Sequence, residues 1–122
     1  MKILVIDDKK EWVVDAIGKQ FPDAKVVWVT TWQEGLEILN KRAKWDEVWL
    51  DHDLGGIPEE TIRPLIRELE SEGYHQRPYP VNKFILISGN YDGNKYMNDA
   101  LSKYYSVINV GVVNIADYLF RT

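Results

Sequence analysis

Short apolar runs rich in β-branched and aromatic residues alternate along the chain with longer stretches whose apolar residues recur at every third and fourth position. The runs predict five strands: Lys2–Asp7, Lys25–Val29, Glu47–Asp51, Lys83–Ser88 and Val107–Val110. Several are apolar on both faces, as a parallel sheet covered from both sides requires. Between them, Glu11–Gln20 carries Trp12, Ala16 and Ile17, Trp32–Ala43 carries Leu36, Leu39 and Ala43, and Ile62–Glu72 carries Leu65, Ile66 and Leu69. Asn94–Tyr104 repeats the spacing with Met97, Ala100, Leu101 and Tyr104, and Asn114–Phe120 predicts a short final helix. Each stretch presents one apolar stripe to a core. Thr31 with Glu34 three residues on has the form of a capping box and marks the start of the second helix. Strand and helix in strict alternation imply right-handed crossovers and an open parallel sheet with helices on both faces.

Two segments break the rhythm. Gly55-Gly56-Ile57-Pro58 predicts a loop, and Pro64 places the start of the third helix near Ile62, since proline is tolerated only in a first turn. Gly73–Asn82, with two prolines, two tyrosines, His75 and Arg77, predicts an extended surface segment that covers the site or a partner.

Composition narrows the function classes. A chain of 122 residues with 45% hydrophobic and 28% charged residues is expected to form a single domain, residues 1–122, around its own core. The absence of cysteine excludes disulfides, thiolate nucleophiles and thiolate zinc sites. With only His52 and His75 as imidazoles, any metal is expected to be a hard ion bound by oxygen. Net charge is −4 with lysine and arginine scattered among acids, so double-stranded DNA is not an expected partner. No apolar run reaches the roughly 18 to 20 residues that cross a bilayer, and Ile3–Ile6 meets Asp7-Asp8 too soon for a secretory core; no membrane association and a cytoplasmic location are expected.

Open parallel sheets bind ligands beyond the carboxyl ends of their strands. Asp7 and Asp8 follow the first strand, Asp51, His52 and Asp53 end the third, and Ser88, Gly89 and Asn90 end the fourth. If the first and third strands are neighbours, with the fourth beside the third, these carboxylates converge and repel unless protonated or shared by a cation. That implies a divalent ion, magnesium first and manganese as the alternative, with Asp7, Asp8, Asp51 and Asp53 as the candidate residues around it. Simpler roles stand beside this one. Asp8 with Glu11 could cap the first helix, and Ser88 and Asn90 could be turn residues; equally, a hydroxyl and an amide there are the donors a phosphoryl oxygen needs.

At these residues the chain resembles a response-regulator receiver domain over nearly its whole length. It has an acidic pair after the first strand, Asp51 at the position of a phospho-accepting aspartate, and Ser88-Gly89 where receivers carry a hydroxyl residue followed by a small one. More narrowly, Leu50-Asp51-His52-Asp53-Leu54-Gly55 and Ser88-Gly89-Asn90-Tyr91-Asp92-Gly93 with Met97 are similar to the motifs of the cyclic-phosphate processing receiver family. The resemblance implies a flavodoxin-like (βα)5 fold, a single five-stranded parallel sheet in the order 2-1-3-4-5 with helices on both faces. It also implies that Asp8 and Asp51 bind magnesium directly, Asp7 through water, and that the backbone carbonyl of Asp53 completes the shell. Ser88, Gly89 and Asn90 would face the phosphate. The chain departs from the pattern at two places: no lysine follows the fifth strand in Ile108–Val112, Lys103 lying upstream, and Ile87 replaces a histidine before the serine.

The expected function is a magnesium-dependent receiver-like domain that binds a small cyclic phosphate, such as a 2',3'-cyclic nucleotide or RNA end, with metal-assisted hydrolysis as the enzymatic form of that reading. Asp51 and His52 are the candidate catalytic residues. His52 could protonate the leaving oxygen, because an imidazole titrates near neutrality, or could support Asp51 from behind. One alternative is a signalling module phosphorylated on Asp51. Another is a decayed receiver acting through a protein partner or homodimer. For that last reading Trp28, Trp45 and Tyr74–Tyr79 form the candidate exposed patch and Tyr91 a base-stacking residue, whereas Trp12, Trp32 and Trp49 fall on presumed core faces.

Overall fold

The structure, a computed structural model, describes residues 1–120. Its strands are β1 (Lys2–Ile6), β2 (Lys25–Val29), β3 (Trp45–Leu50), β4 (Val81–Leu86) and β5 (Val107–Asn109). The helices are α1 (Glu11–Gln20), α2 (Trp32–Leu39), α3 (Arg63–Tyr74), α4 (Tyr91–Leu101) and, after a 3-10 turn at Val112–Asn114, α5 (Ile115–Leu119). All five strands are parallel in the order β2-β1-β3-β4-β5. The order reverses between β1 and β3, the place where such sheets open a crevice.

Alternation along each strand sends residues to opposite faces and builds two cores. Leu4, Ile6, Val48, Leu50, Phe84 and Leu86 meet α2, α3 and α4 on one side. Ile3, Val5, Trp49, Ile85 and Ile87 meet Val13 and Ile17 of α1 and Ile115 and Leu119 of α5 on the other. Each fully buried aliphatic or aromatic side chain contributes about 1.5–3 kcal/mol, so the central strands, apolar on both faces, anchor the sheet. Glu47 is the buried acid in β3. It accepts from Trp49 Nε1 at 3.0 Å and has Lys83 Nζ at 3.8 Å.

Helix boundaries follow local chemistry. Thr31 caps α2, its Oγ accepting the Glu34 N–H at 3.2 Å and donating to Glu34 Oε1 at 2.9 Å. Pro64 occupies the first turn of α3. Helix α4 begins three residues before the apolar spacing suggests, because Asn90 caps it by accepting the Gly93 N–H at 3.0 Å. Helix α2 ends at Leu39, short of Ala43, and Arg42 then takes φ 56°. Among the described residues no helix is long and apolar enough to cross a membrane.

Three aromatic expectations are corrected. Trp12 is 49% exposed, because the buried stripe of α1 runs through Val13 and Ile17, and Trp12 sits one step, about 100°, off that stripe. Trp45 is buried, since β3 starts two residues early and the Trp45 N–H joins the ladder at Pro80 O. Nor is Gly73–Asn82 an extended surface segment. Helix α3 runs to Tyr74, Gln76 turns the chain with φ 63°, and Tyr79 returns to the core, where its hydroxyl donates to Asn40 Oδ1 at 2.6 Å. The presumed aromatic patch therefore loses Trp45 and Tyr79.

Candidate metal and phosphate site

The polar residues sit one or two steps past the strand ends, and the ladder continues one residue beyond β1, β3 and β4. The Asp7 N–H donates to Val29 O at 3.1 Å, the Asp51 N–H to Ile6 O at 3.0 Å, and the Ile87 N–H to Leu50 O at 3.0 Å. Adjacent β1 and β3 thus deliver Asp7, Asp8 and Asp51 to one point, where an oxygen from each carboxylate lies within 4.8 Å of the others.

The carboxylates are held differently. Asp7 is fully buried; its Oδ1 accepts the N–H groups of Lys9 and Lys10 at 2.9 and 3.0 Å, folding the chain into α1, and its backbone carbonyl accepts from Trp28 Nε1 at 2.6 Å. The residue that shapes the entry to α1 is therefore Asp7, and the capping expected of Asp8 is absent: no side chain caps that helix. Asp8 reaches across to the β3–α3 loop, where Oδ2 accepts the Gly55 N–H at 2.9 Å. Its Oδ1 is buried with no partner.

A residue missed by the sequence reading closes the cluster. The ammonium of Lys10 lies 2.8 Å from Asp7 Oδ2 and 3.1 Å from Asp51 Oδ2, its side chain 15% exposed. The tight turn on Asp7 sends Lys9 outward and folds Lys10 back, and only the placement of Asp51 beside Asp7 gives the lysine two partners. Burial pushes the Asp51 carboxyl above the usual range, with Asp7 adding to the effect; Lys10 and, more weakly, the Ser88 hydroxyl oppose it without cancelling it. For Lys10, burial works against the charge, but the hydrogen bond to Asp7 and the charges of Asp51 and Asp7 outweigh it and raise its pKa.

His52 is buried, with Nδ1 2.7 Å from Asp53 Oδ1 and Nε2 2.9 Å from Arg63 Nε. Arginine only donates, so Nε2 carries the lone pair and Nδ1–H donates to Asp53. Both ring nitrogens are thereby engaged. Asp53 is turned out of the carboxylate cluster toward His52, and Asn90 Nδ2 lies 3.4 Å from its Oδ1. An isolated antiparallel bridge from Asp53 to Thr61, with Ile62 N–H on His52 O at 2.8 Å, closes the loop behind it.

Ser88 is buried at the end of β4, and its Oγ accepts the Asn90 N–H at 3.0 Å. Asn94, also buried, clasps the Ser88 backbone: Nδ2 donates to Ser88 O at 2.8 Å and Oδ1 accepts the Ser88 N–H at 3.3 Å. Asn94 was legible only as a helix residue, since its function depends on the turn of Ser88–Asn90 bringing it back on β4. Gly89 is exposed, and a Cβ there would meet Val112 at 3.4 Å.

Beside Asp8 a cavity of about 700 Å³ opens between the β2–α2 and β3–α3 loops, walled by Thr30, Trp32, Leu54, Glu60, Pro64 and Arg67. A second, of about 610 Å³, adjoins His52, Asp53, Arg63 and Asn90.

Comparison with known proteins agrees with the fold. The family described as Cyclic-phosphate processing Receiver domain matches residues 2–103. Among solved structures, a response regulator receiver domain protein (CheY-like) from Methanospirillum hungatei JF-1 is similar at 19% identity and TM-score 0.61, over 98% of this chain and 88% of its own. The receiver domain of Francisella response regulator 1452 is similar at 18% identity and TM-score 0.62, over 98% of this chain and 91% of its own. A two-component response regulator from Legionella pneumophila is similar at 16% identity and TM-score 0.59, over 99% and 95%. At these identities the three structures speak for the fold. No curated protein matches the chain.

Proposed function

The chain belongs to the cyclic-phosphate processing receiver family, and from that premise we propose that Asp7, Asp8 and Asp51 hold a magnesium ion at which a small cyclic phosphate is bound and hydrolysed. The carrying observation is Asp8 Oδ1, a buried acceptor without a partner in a cluster of three carboxylates. An unpaired buried acceptor costs about 1–3 kcal/mol, more when charged, and a hard cation would remove that cost at Asp8 while easing the repulsion among the three carboxylates. The donor set is entirely oxygen, which suits magnesium or, with little change, manganese.

When bound, the ion supplies positive charge to a non-bridging phosphate oxygen. The chain's residues do the rest. The Ser88 Oγ accepts from Asn90 and its hydroxyl faces Asp51, so once an ion takes over that carboxylate the Ser88 proton can turn to a phosphoryl oxygen, and Asn94 holds the Ser88 backbone for that role. With Nδ1–H committed to Asp53 and Nε2 to Arg63, His52 has no proton to give a leaving oxygen; it acts as a positioning residue that braces Asp53 and the start of α3. Hydrolysis adds a water oxygen to phosphorus and breaks one ring P–O bond, and the departing oxygen takes up a proton from water. The cavity running from Asp8 along Trp32 has the size of a small-molecule site and gives the organic part of the substrate somewhere to lie.

A panel of 2',3'-cyclic nucleotides and cyclic-ended oligonucleotides with magnesium tests this. Turnover that Asp51→Asn abolishes is the expected result; absence of any Asp51-dependent turnover overturns the hydrolytic reading.

One observation favours a second reading, phosphorylation of Asp51 in a signalling module. The positive charge lacking after β5 is present from another direction, since Lys10 lies 3.1 Å from Asp51. Acetyl phosphate with magnesium, followed by intact mass, separates the two: one added phosphoryl group, absent in Asp51→Asn, supports this reading, and an unchanged mass removes it.

A further inference from the structure

Lys10 is bound to two of the three carboxylates that would hold the ion, and this makes its charge part of the site's chemistry. Asp7 is fully buried and Asp51 nearly so, and buried charges are tolerated only when compensated. In the absence of an ion Lys10 provides that compensation, leaving Asp8 Oδ1 without a partner. A divalent ion cancels two of the three negative charges. The third still faces any incoming phosphodiester, itself a monoanion, and at contact distance in a partly dry site such repulsion is large. Lys10, in contact with two of these carboxylates, is a cation placed to cancel it. Its side chain is 15% exposed, so the ammonium borders the opening and needs only to turn from the carboxylates to an anion above them.

We propose that Lys10 is the exchangeable cation of this site: it pairs Asp7 and Asp51 until a divalent ion takes over those carboxylates, and then serves as the receptor for the phosphate anion. This rests on the metal reading above. It assigns two opposed effects to one side chain, competition with the metal and assistance to the phosphate, and a purely structural lysine produces neither in that combination.

Calorimetry with magnesium alone, then with inorganic phosphate at saturating magnesium, on wild type, Lys10→Met and Lys10→Gln tests it. Two variants are used so that a folding defect in one does not stop the experiment, and far-UV circular dichroism checks both. Magnesium affinity in the variants is expected to be higher, by up to about tenfold, and phosphate affinity lower by roughly tenfold or more. Lys10→Arg, which keeps the charge, should restore most of the phosphate affinity. Unchanged phosphate affinity in both neutral variants, or magnesium and phosphate affinities falling together, overturns the role of Lys10 while leaving the metal site standing. No magnesium uptake by wild type removes the metal reading and this one with it.

Discussion

Gly93 lies flat against the imidazole of His52: a methyl group on its Cα would fall 2.4 Å from Cγ and 2.8 Å from Nδ1. The ring cannot easily yield, being tied to Asp53 on one side and Arg63 on the other and packed edge-on to Tyr96. Overpacking of this kind costs about 1–3 kcal/mol, while alanine in place of glycine inside a helix returns up to about 1 kcal/mol. Gly93→Ala is therefore expected to lower the urea midpoint, by about 1–2 kcal/mol in net stability. A midpoint at or above wild type would mean that the His52 ring is not held as described.

Asp7 is expected to be a structural as well as a binding residue. Its carboxylate accepts two backbone N–H groups and one ammonium, all lost in Asp7→Ala, at a cost of about 2–4 kcal/mol. Asp7→Asn keeps an acceptor for the two amides and should cost clearly less. Equal thermal stability of the two variants would contradict the assigned hydrogen bonds.

Asp8 behaves in the opposite way. Because its Oδ1 has no partner and an amide oxygen can keep the Gly55 bond, Asp8→Asn should hold or raise the stability of the metal-free protein. Magnesium at a hundred times its dissociation constant is expected to stabilise wild type by about 2.7 kcal/mol, a gain that EDTA removes and that Asp8→Asn largely lacks. Thermal melts with and without magnesium read this directly. An equal magnesium-induced shift in both proteins would take Asp8 out of the site.

The raised pKa of Asp51 gives the site a pH dependence. A carboxyl that is harder to ionise when folded favours the folded state while protonated, so its contribution is fully present below the unfolded value and is lost as pH rises through the folded value. The stability of metal-free wild type relative to Asp51→Asn should accordingly fall across that interval, which begins near the ordinary aspartate range of about 3.9 and extends upward. Magnesium affinity should rise over the same interval, since the proton must leave before the ion binds. A stability difference that does not vary with pH would show Asp51 to titrate normally.

What could be read from the chain alone was whatever depends on near neighbours in sequence. Two-sided apolar runs marked the strands to within about two residues, because a strand covered by helices has no polar face to disguise it. Thr31 and Glu34 marked the start of α2, since both halves of that cap lie within one turn. Where a residue's role is set by a distant partner, the pattern was silent or misleading. Trp45 and Tyr79 are core residues only because Pro80 and Asn40 come to meet them.

The site divides in the same way. The order of strands and the residues at their ends determined that acidic side chains gather on one rim, and the likeness of two short motifs named the family. Tertiary structure alone decided how those side chains are used: that Asp53 turns to His52 and out of the cluster, that Asn94 clasps Ser88, and that Lys10 folds back between Asp7 and Asp51. The reason is the range of the forces. Hydrophobic periodicity is a local property of the chain, whereas a buried charge takes whichever partner lies within about 3 Å in space, at any separation in sequence.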